Sequence, residues 1–364
     1  MLVIRTLRNL WFLISLGLST LFISHNASAE LIDVQQKNDI VYFLFAAPNK
    51  IVRYDLNSHE FLTKISLISV PVAFHVTDTN IFTSYGKVLY RSNLEGEESS
   101  NLYIYRDNDN INAVSSFGDN IFYINDNHTA HTISTQNYTL VDTAYFHTNS
   151  LPALNSIINM AIYTYSSSLG LSKMIVGDNG MLSRRTYSDF EDSNFGSSIT
   201  YLHPNEERVY TGHGLIFSAG DLSFQGSLTG SFDTMTFLDN KPVTTRDNIL
   251  SIYTDNDLES KSVTLDHSPS YIAAKDQTII SFVNSNSIIS AHQTHIDLLT
   301  KPASAIPVDP TTRSYQAEII TTDNNNIAFI LDKEAPAIYR RKVSEQEFTS
   351  NFDLIKAPTW MTYS

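Results

Sequence analysis

The sequence predicts an all-β chain folded as a single β-propeller, and three observations carry that expectation. Short runs of β-branched and aromatic residues recur at a nearly even spacing along the chain. Between them stand Asn, Asp and Gly turn residues, and after the first thirty residues no stretch carries a 3.6-residue apolar period. The spacing is also the length of a four-stranded blade, roughly 40–45 residues.

The clearest unit is Asn80 to Tyr105, NIFTSYGKVLYRSNLEGEESSNLYIY, which reads as three strands: Ile81–Ser84, Val88–Asn93 and Leu102–Tyr105. A Gly-Lys turn and a Glu-Gly-Glu turn separate them. Lys50–Leu67 (KIVRYDLNSHEFLTKISL), Pro336–Leu354 (PAIYRRKVSEQEFTSNFDL) and, more loosely, Asn248–Leu265 (NILSIYTDNDLESKSVTL) repeat the plan. In Phe61–Leu67 apolar and polar residues alternate, so it reads as one continuous strand. Ile40–Phe45, Ile121–Ile124 and Ile327–Leu331 are unbroken apolar runs, the pattern of strands buried on both faces. Taking the first apolar residue of each such run gives Ile40, Ile81, Ile121, Met160, Val209, Pro242, Ile279 and Ile327. That series predicts eight blades, or seven if one of the weaker members, Met160 or Pro242, is lost.

Residues 1–29 read as a signal peptide. Arg5 and Arg8 precede the apolar stretch Leu10–Ile23, which is followed by Ala27-Ser28-Ala29. The stretch falls short of the roughly 20 residues that a spanning helix needs. Cleavage would leave residues 30–364 as one propeller domain, exported to the periplasm or beyond, with no membrane insertion. The segment Leu298–Ser314 holds three prolines and reads as a loop between blades, because strand signals resume at Gln316. Pro358–Tyr363 (PTWMTY) resembles the blade openings Pro71–Val76 and Pro269–Ala274. It predicts that Thr359–Tyr363 closes the ring beside the strand beginning near Ile40.

The formal net charge is −14, and loss of the two leader arginines makes the remainder two units more negative. Such acidity argues against nucleic acid as a partner. The chain has no cysteine, which excludes disulfides, a thiol nucleophile and a lipid-anchored cysteine.

These units, KIVRYDLNSHEFLTKISL and DNIFYIND above all, resemble bacterial secreted propellers of the YVTN and pyrroloquinoline-quinone-like repeat type. The resemblance covers most of the chain after the leader and implies architecture more than activity. Quinoprotein dehydrogenases of that kind have tryptophan-rich blades and often a cysteine pair; here Trp11 and Trp360 are the only tryptophans.

Motifs of chemistry are sparse. Asp107-Asn108-Asp109-Asn110, Asp255-Asn256-Asp257 with Glu259, and Asp323 with Asn324 to Asn326 are oxygen-rich, as a Ca²⁺ ion requires, but lack the glycine of a calcium loop and read as turns. No cofactor is expected, with Ca²⁺ as the alternative at these clusters. His128/His131 and His292/His295 are spaced i, i+3, which in a strand sends the two rings to opposite faces. There is no G-x-S-x-G elbow, and Gly212-His213-Gly214 reads as a hairpin turn rather than a phosphate loop. Asn127 and Asn137 head N-x-T triplets, which would carry no meaning in a bacterial product.

What remains is the mouth of the channel. Loops between second and third strands offer Asp126, Asp178, His213 and Arg246 as binding residues, and loops between blades offer Asp107, Asp109, Glu191 and Asp192. The expectation is therefore a monomeric binding or scaffolding module for a protein or small ligand, not an enzyme. A hydrolase or lactonase at the channel mouth and a carbohydrate or cell-surface binder are the alternatives.

Overall fold

The computed structural model describes residues 30–97, 100–104, 109–145, 154–156, 161–166, 170–177, 179–183, 186–188, 199–300, 317–322, 327–332, 337–342 and 347–353. Blade 1 is β1 (Leu31–Lys37), β2 (Ile40–Phe45), β3 (Lys50–Asp55), and the short β4 (Glu60–Phe61) and β5 (Ile65–Ser66). Blade 2 is β6 (Ala73–Val76), β7 (Asn80–Tyr85), β8 (Val88–Asn93) and β9 (Ser100–Ile104). Blade 3 is β10 (Ile111–Phe117), β11 (Asn120–Asn125), β12 (Thr129–Ser134) and β13 (Leu140–Tyr145). Blade 4 is β14 (Leu154–Ser156), β15 (Ala161–Ser166), β16 (Gly170–Ile175) and β17 (Thr186–Tyr187). Blade 5 is β18 (Thr200–Leu202), β19 (Arg208–Thr211), β20 (Leu215–Ser218) and β21 (Phe224–Ser227). Blade 6 is β22 (Thr234–Leu238), β23 (Lys241–Arg246), β24 (Ile249–Tyr253) and β25 (Glu259–Thr264). Among the described residues blade 7 has three strands, β26 (Tyr271–Lys275), β27 (Thr278–Ser285) and β28 (Ile288–His295). A last sheet follows: β29 (Ala317–Thr322), β30 (Ile327–Asp332), β31 (Ala337–Lys342) and β32 (Glu347–Asp353).

Seven of the eight anchor residues of the sequence series fall at the start of the second strand of a sheet, and the eighth, Met160, lies outside the described residues, next in sequence to β15. The ring, however, holds seven blades. Its core is not one cluster but a set of seams, one between each pair of neighbouring blades. Phe43 and Phe45 of β2 meet Ile280 and Phe282 of β27, so blade 7 packs directly on blade 1. The Phe43 and Phe282 rings lie edge to face at 5.0 Å. Lys275 bonds Asp39 at 2.8 Å across the same seam. The last sheet therefore repeats the blade plan, including the first-strand bulge of β1 and β10, without a place in the ring. Its Arg340 is buried within electrostatic range of Tyr253, Asp257 and Glu259 of blade 6.

The unbroken apolar runs do face two ways. Val41, Phe43 and Phe45 enter the seam with blade 7, while Tyr42 and Leu44 enter the seam with blade 2. Ile121 and Tyr123 face blade 2, and Phe122 and Ile124 face blade 4. Alternation within one strand thus supplies two different interfaces, and no polar face is needed.

Two expectations are corrected. Phe61–Leu67 is not one strand: β4 and β5 both pair with β3, and the chain between them bows out. The buried Arg53 is the cause, since its Nε and Nη2 donate to the Thr63 carbonyl at 3.2 and 2.9 Å, and its Nη1 to the Leu94 carbonyl at 2.7 Å. The place beside β2 that was expected for Thr359–Tyr363 is held by β1 instead. Both edges of β2 are taken, by β1 and β3. The segment 359–363 itself lies outside the described residues, as do residues 1–29, read as a signal peptide, and residues 301–316, read as a loop. Among the described residues, no helix is long and apolar enough to cross a membrane.

Candidate functional site

Two of the predicted mouth residues, Asp126 and Arg246, hold loops of their own blades. Asp126, between β11 and β12, accepts from the Asn110 backbone N–H at 2.8 Å and from Asn110 Nδ2 at 3.0 Å. Arg246, at the end of β23, donates from Nε to the Ser231 carbonyl and from Nη2 to the Thr229 carbonyl, both at 2.6 Å. Each side chain grips the loop that enters its own blade. Beside Arg246 a Cβ on Gly230, whose φ is +78°, would lie 2.4 Å from Nη2, so glycine is required there. His213 sits half-buried in the β19–β20 turn, closed by Gly214 N–H on the Thr211 carbonyl at 2.8 Å. Asp178 falls in sequence between β16 and β17, on a third-to-fourth rather than a second-to-third connection, and lies outside the described residues, as do Asp107, Glu191 and Asp192. Asp109 accepts from Asn125 Nδ2 at 3.2 Å. The four candidates belong by sequence to four blades, and the described Asp126 and Arg246 each bond within their own blade.

The oxygen-rich run at 255–259 is a turn with a second use. Asp257, at φ 58°, accepts from Arg208 and, at 2.9 Å, from Tyr210 Oη, joining blade 6 to blade 5. Glu259 accepts from Ser251 Oγ at 2.8 Å. The histidine pairs diverge as strand geometry demands. His131 is buried on Tyr123 at 4.7 Å while His128 occupies a turn. His292 instead stacks on His267 at 4.1 Å, and His295 caps a short turn.

His267 also completes a chain that resembles a hydrolytic relay: Asp266 Oδ1 to Nδ1 at 2.6 Å, and Nε2 to Ser281 Oγ at 2.7 Å. Its burial is inverted for that purpose. Ser281 is 2% exposed and out of a substrate's reach, whereas the Asp266 side chain is 91% exposed and too hydrated to orient a base. We read it as a pin between the blade 6–7 loop and β27.

The inner strands hold the more promising group. Among the described residues, they are bridged across the seams by polar side chains. Gln35 of β1 donates to the Phe74 carbonyl at 2.7 Å and accepts from the Val76 N–H at 3.1 Å, both on β6. His75 of β6 meets Ser116 Oγ of β10 at 3.0 Å, and Tyr201 Oη of β18 donates to Thr234 Oγ1 of β22 at 3.4 Å. Tyr271 of β26 lies within electrostatic range of both Asp33 of β1 and Tyr201, which belongs to a blade not adjacent to its own. Asp33, Gln35, Tyr201 and Tyr271, on the first strands of blades 1, 5 and 7, are therefore linked: Gln35 donates to Asp33 at 3.0 Å, and Tyr271 lies in the field of both Asp33 and Tyr201. Burial pushes the Asp33 carboxyl up to about 6, against the opposing pull of its bonds from Gln35 and the Val34 N–H. Burial likewise raises both phenols, and it drops His75 to about 4. At neutral pH the phenols and His75 are uncharged, and Asp33 is the one shifted carboxylate among them. Among the described residues, no three or more His, Asp or Glu side chains are grouped to hold a metal ion.

These channel residues carried no sequence motif. Residues 31–37, LIDVQQK, do alternate, with Asp33 and Gln35 opposite Ile32 and Val34. That alternation is the sequence signal of an inner strand.

Residues 27–169 match the DUF5128 family, described as a 6-bladed beta-propeller. The match spans blades 1 to 3 and the opening of blade 4, well under half of the chain, and this ring has seven blades rather than six. No curated protein matches the chain.

Proposed function

We propose that this chain is an exported ligand-binding propeller of the YVTN or pyrroloquinoline-quinone-like repeat kind, with its site on the channel axis. The observation that carries the reading is the linkage of Asp33, Gln35, Tyr201 and Tyr271 across three blades. Two phenols, an amide and a single carboxylate form a set of hydrogen-bonding groups that carries one negative charge at neutral pH. Such a set suits a neutral polar ligand, rich in hydroxyl groups, laid against aromatic rings. The leader at residues 1–29 supports export, and the acidic surface supports a soluble, monomeric life outside the cytoplasm.

The test is calorimetric titration of the leader-free protein with a panel of neutral oligosaccharides and, separately, lactones. Saturable binding that Tyr271→Phe and Asp33→Asn each weaken at least tenfold is the expected result. Binding that ignores both substitutions would place the site elsewhere. Turnover of a lactone that disappears in Asp33→Asn would replace this reading with a channel hydrolase.

A further inference from the structure

The four groups on the inner strands differ in what each still has to offer a ligand. Gln35 is spent within the protein. Its amide donates to Asp33 Oδ2 at 3.0 Å and to the Phe74 carbonyl at 2.7 Å, and its oxygen accepts from the Val76 N–H at 3.1 Å. Two of those bonds lie on β6, so blade 2 fixes the amide and the amide fixes the carboxylate. The Tyr201 hydroxyl is also taken, by Thr234 Oγ1 at 3.4 Å and by the Met235 backbone. Its ring remains, as a wall.

Asp33 and Tyr271 have capacity to spare. Each Asp33 oxygen receives one N–H, Oδ1 from Val34 at 2.8 Å and Oδ2 from Gln35. An ionised carboxylate has about four acceptor sites, so acceptor capacity remains on both oxygens. Asp33 is half-buried rather than sealed, yet its surroundings raise its pKa, a combination that suits a concave, reachable place. The Tyr271 ring is wedged in the seam between blades 7 and 1, 6.3 Å from Phe43 and from Phe282. Among the described residues its hydroxyl has no hydrogen-bond partner, while it lies in the field of Asp33. Desolvation makes an unmet donor of that kind costly.

Acceptor capacity on both oxygens of one carboxylate, with a donor beside it, is a narrow demand. Two hydroxyls on adjacent carbons can each donate to one oxygen, and a hydroxyl that donates can still accept from a phenol. Hydroxyls held further apart reach only one oxygen in good geometry. A cation would answer the charge of Asp33 but has no lone pair for the Tyr271 donor.

We propose that the site recognises a vicinal diol, as a saccharide presents it: both hydroxyls donate to Asp33, and one of them accepts from Tyr271. This diol specificity rests on the channel site proposed above and narrows its ligands from hydroxyl-rich molecules to those with hydroxyls on adjacent carbons. Gln35 is then a positioning residue, which sets the plane of the carboxylate without touching the ligand.

The experiment is NMR titration of the leader-free protein with cis-cyclohexane-1,2-diol, trans-cyclohexane-1,3-diol and cyclohexylamine, repeated on Asp33→Asn, Tyr271→Phe and Gln35→Leu. The 1,2-diol should bind about tenfold or more tighter than the other two probes, and Asp33→Asn and Tyr271→Phe should each weaken it about as much. Gln35→Leu should erase the preference for the 1,2-diol over the 1,3-diol, a readout that a merely structural role would not move. Equal affinity for the two diols, lost for both in Asp33→Asn, would overturn the diol specificity and leave the channel site standing. Tighter binding of the amine would overturn it in favour of a cation, and so would a failure of every probe to bind overturn it. Binding indifferent to all three substitutions would overturn the channel site as well.

Discussion

Replacing Asp33 by Asn should stabilise the protein at neutral pH and uncover a pH dependence that the native protein hides. The Asp33 carboxyl is raised from 3.8 to about 6, chiefly by burial, so folding favours its protonated form. That stability is fully present below the unfolded value, near pH 4, and is lost as the pH rises through about 6. At 1.36 kcal/mol per unit, the loss amounts to about 3 kcal/mol. His75 does the reverse. Its pKa falls from 6.5 to about 4 through burial, so its stability is complete above pH 6.5 and is lost as the pH falls towards 4, again by about 3 kcal/mol. Between pH 4 and 6.5 the two slopes oppose each other, and the native protein should show a nearly flat profile from this pair. In Asp33→Asn the Asp33 slope disappears. The amide can still accept from the Val34 N–H but presents a second donor to Gln35 Nε2, whose position is fixed by β6. That mismatch costs about 1 kcal/mol, which leaves a net gain of about 2 kcal/mol at pH 7.5. Urea melts at half-unit pH steps would measure it. The variant should gain stability steadily from pH 4 to 6.5, and His75→Gln should lose it over the same range. A variant no more stable than the native protein at pH 7.5, with the same flat profile, would refute the assignment of a raised pKa to Asp33.

Phe282→Ala should cost about 3–5 kcal/mol, measured by denaturant unfolding, because its ring fills the seam between blades 7 and 1 against Phe43 and Tyr54. Arg53→Met should cost about 2–4 kcal/mol and free the 62–64 bow for proteolysis, since the Thr63 and Leu94 carbonyls lose a buried, charged donor. Gly96→Ala should destabilise by more than 1 kcal/mol: φ there is +83° and a Cβ would lie 2.3 Å from Ile65 Cγ2. N-terminal sequencing of the native protein should begin at Glu30, within a residue or two; a membrane-bound product beginning at Met1 would show the leader to be an anchor.

The blade plan was written locally and could be read locally. A strand such as Ile40–Phe45, apolar on both faces, announces two interfaces without naming either. Turn positions were equally plain, because Asn38, Asp239, Asn240, Asp247 and Asp276 adopt left-handed φ values that Asx residues tolerate. Spacing alone located the second strand of all eight sheets. What spacing could not decide was how many sheets share the ring. That depends on which seams close, and the contact of Phe43 with Phe282 joins residues far apart in the chain. The partners of the mouth residues were hidden for a related reason: sequence gives a side chain's loop but not its partner, and Asp126 and Arg246 bond Asn110 and the Thr229 and Ser231 carbonyls. Asp33, Tyr201 and Tyr271 became a group only through closure of the ring, which sets inner strands of distant blades face to face across one axis. Local periodicity is a property of neighbours along the chain, whereas burial and the pKa shifts it brings belong to neighbours in space. The sequence therefore determined the blades, and the tertiary structure alone decided the channel.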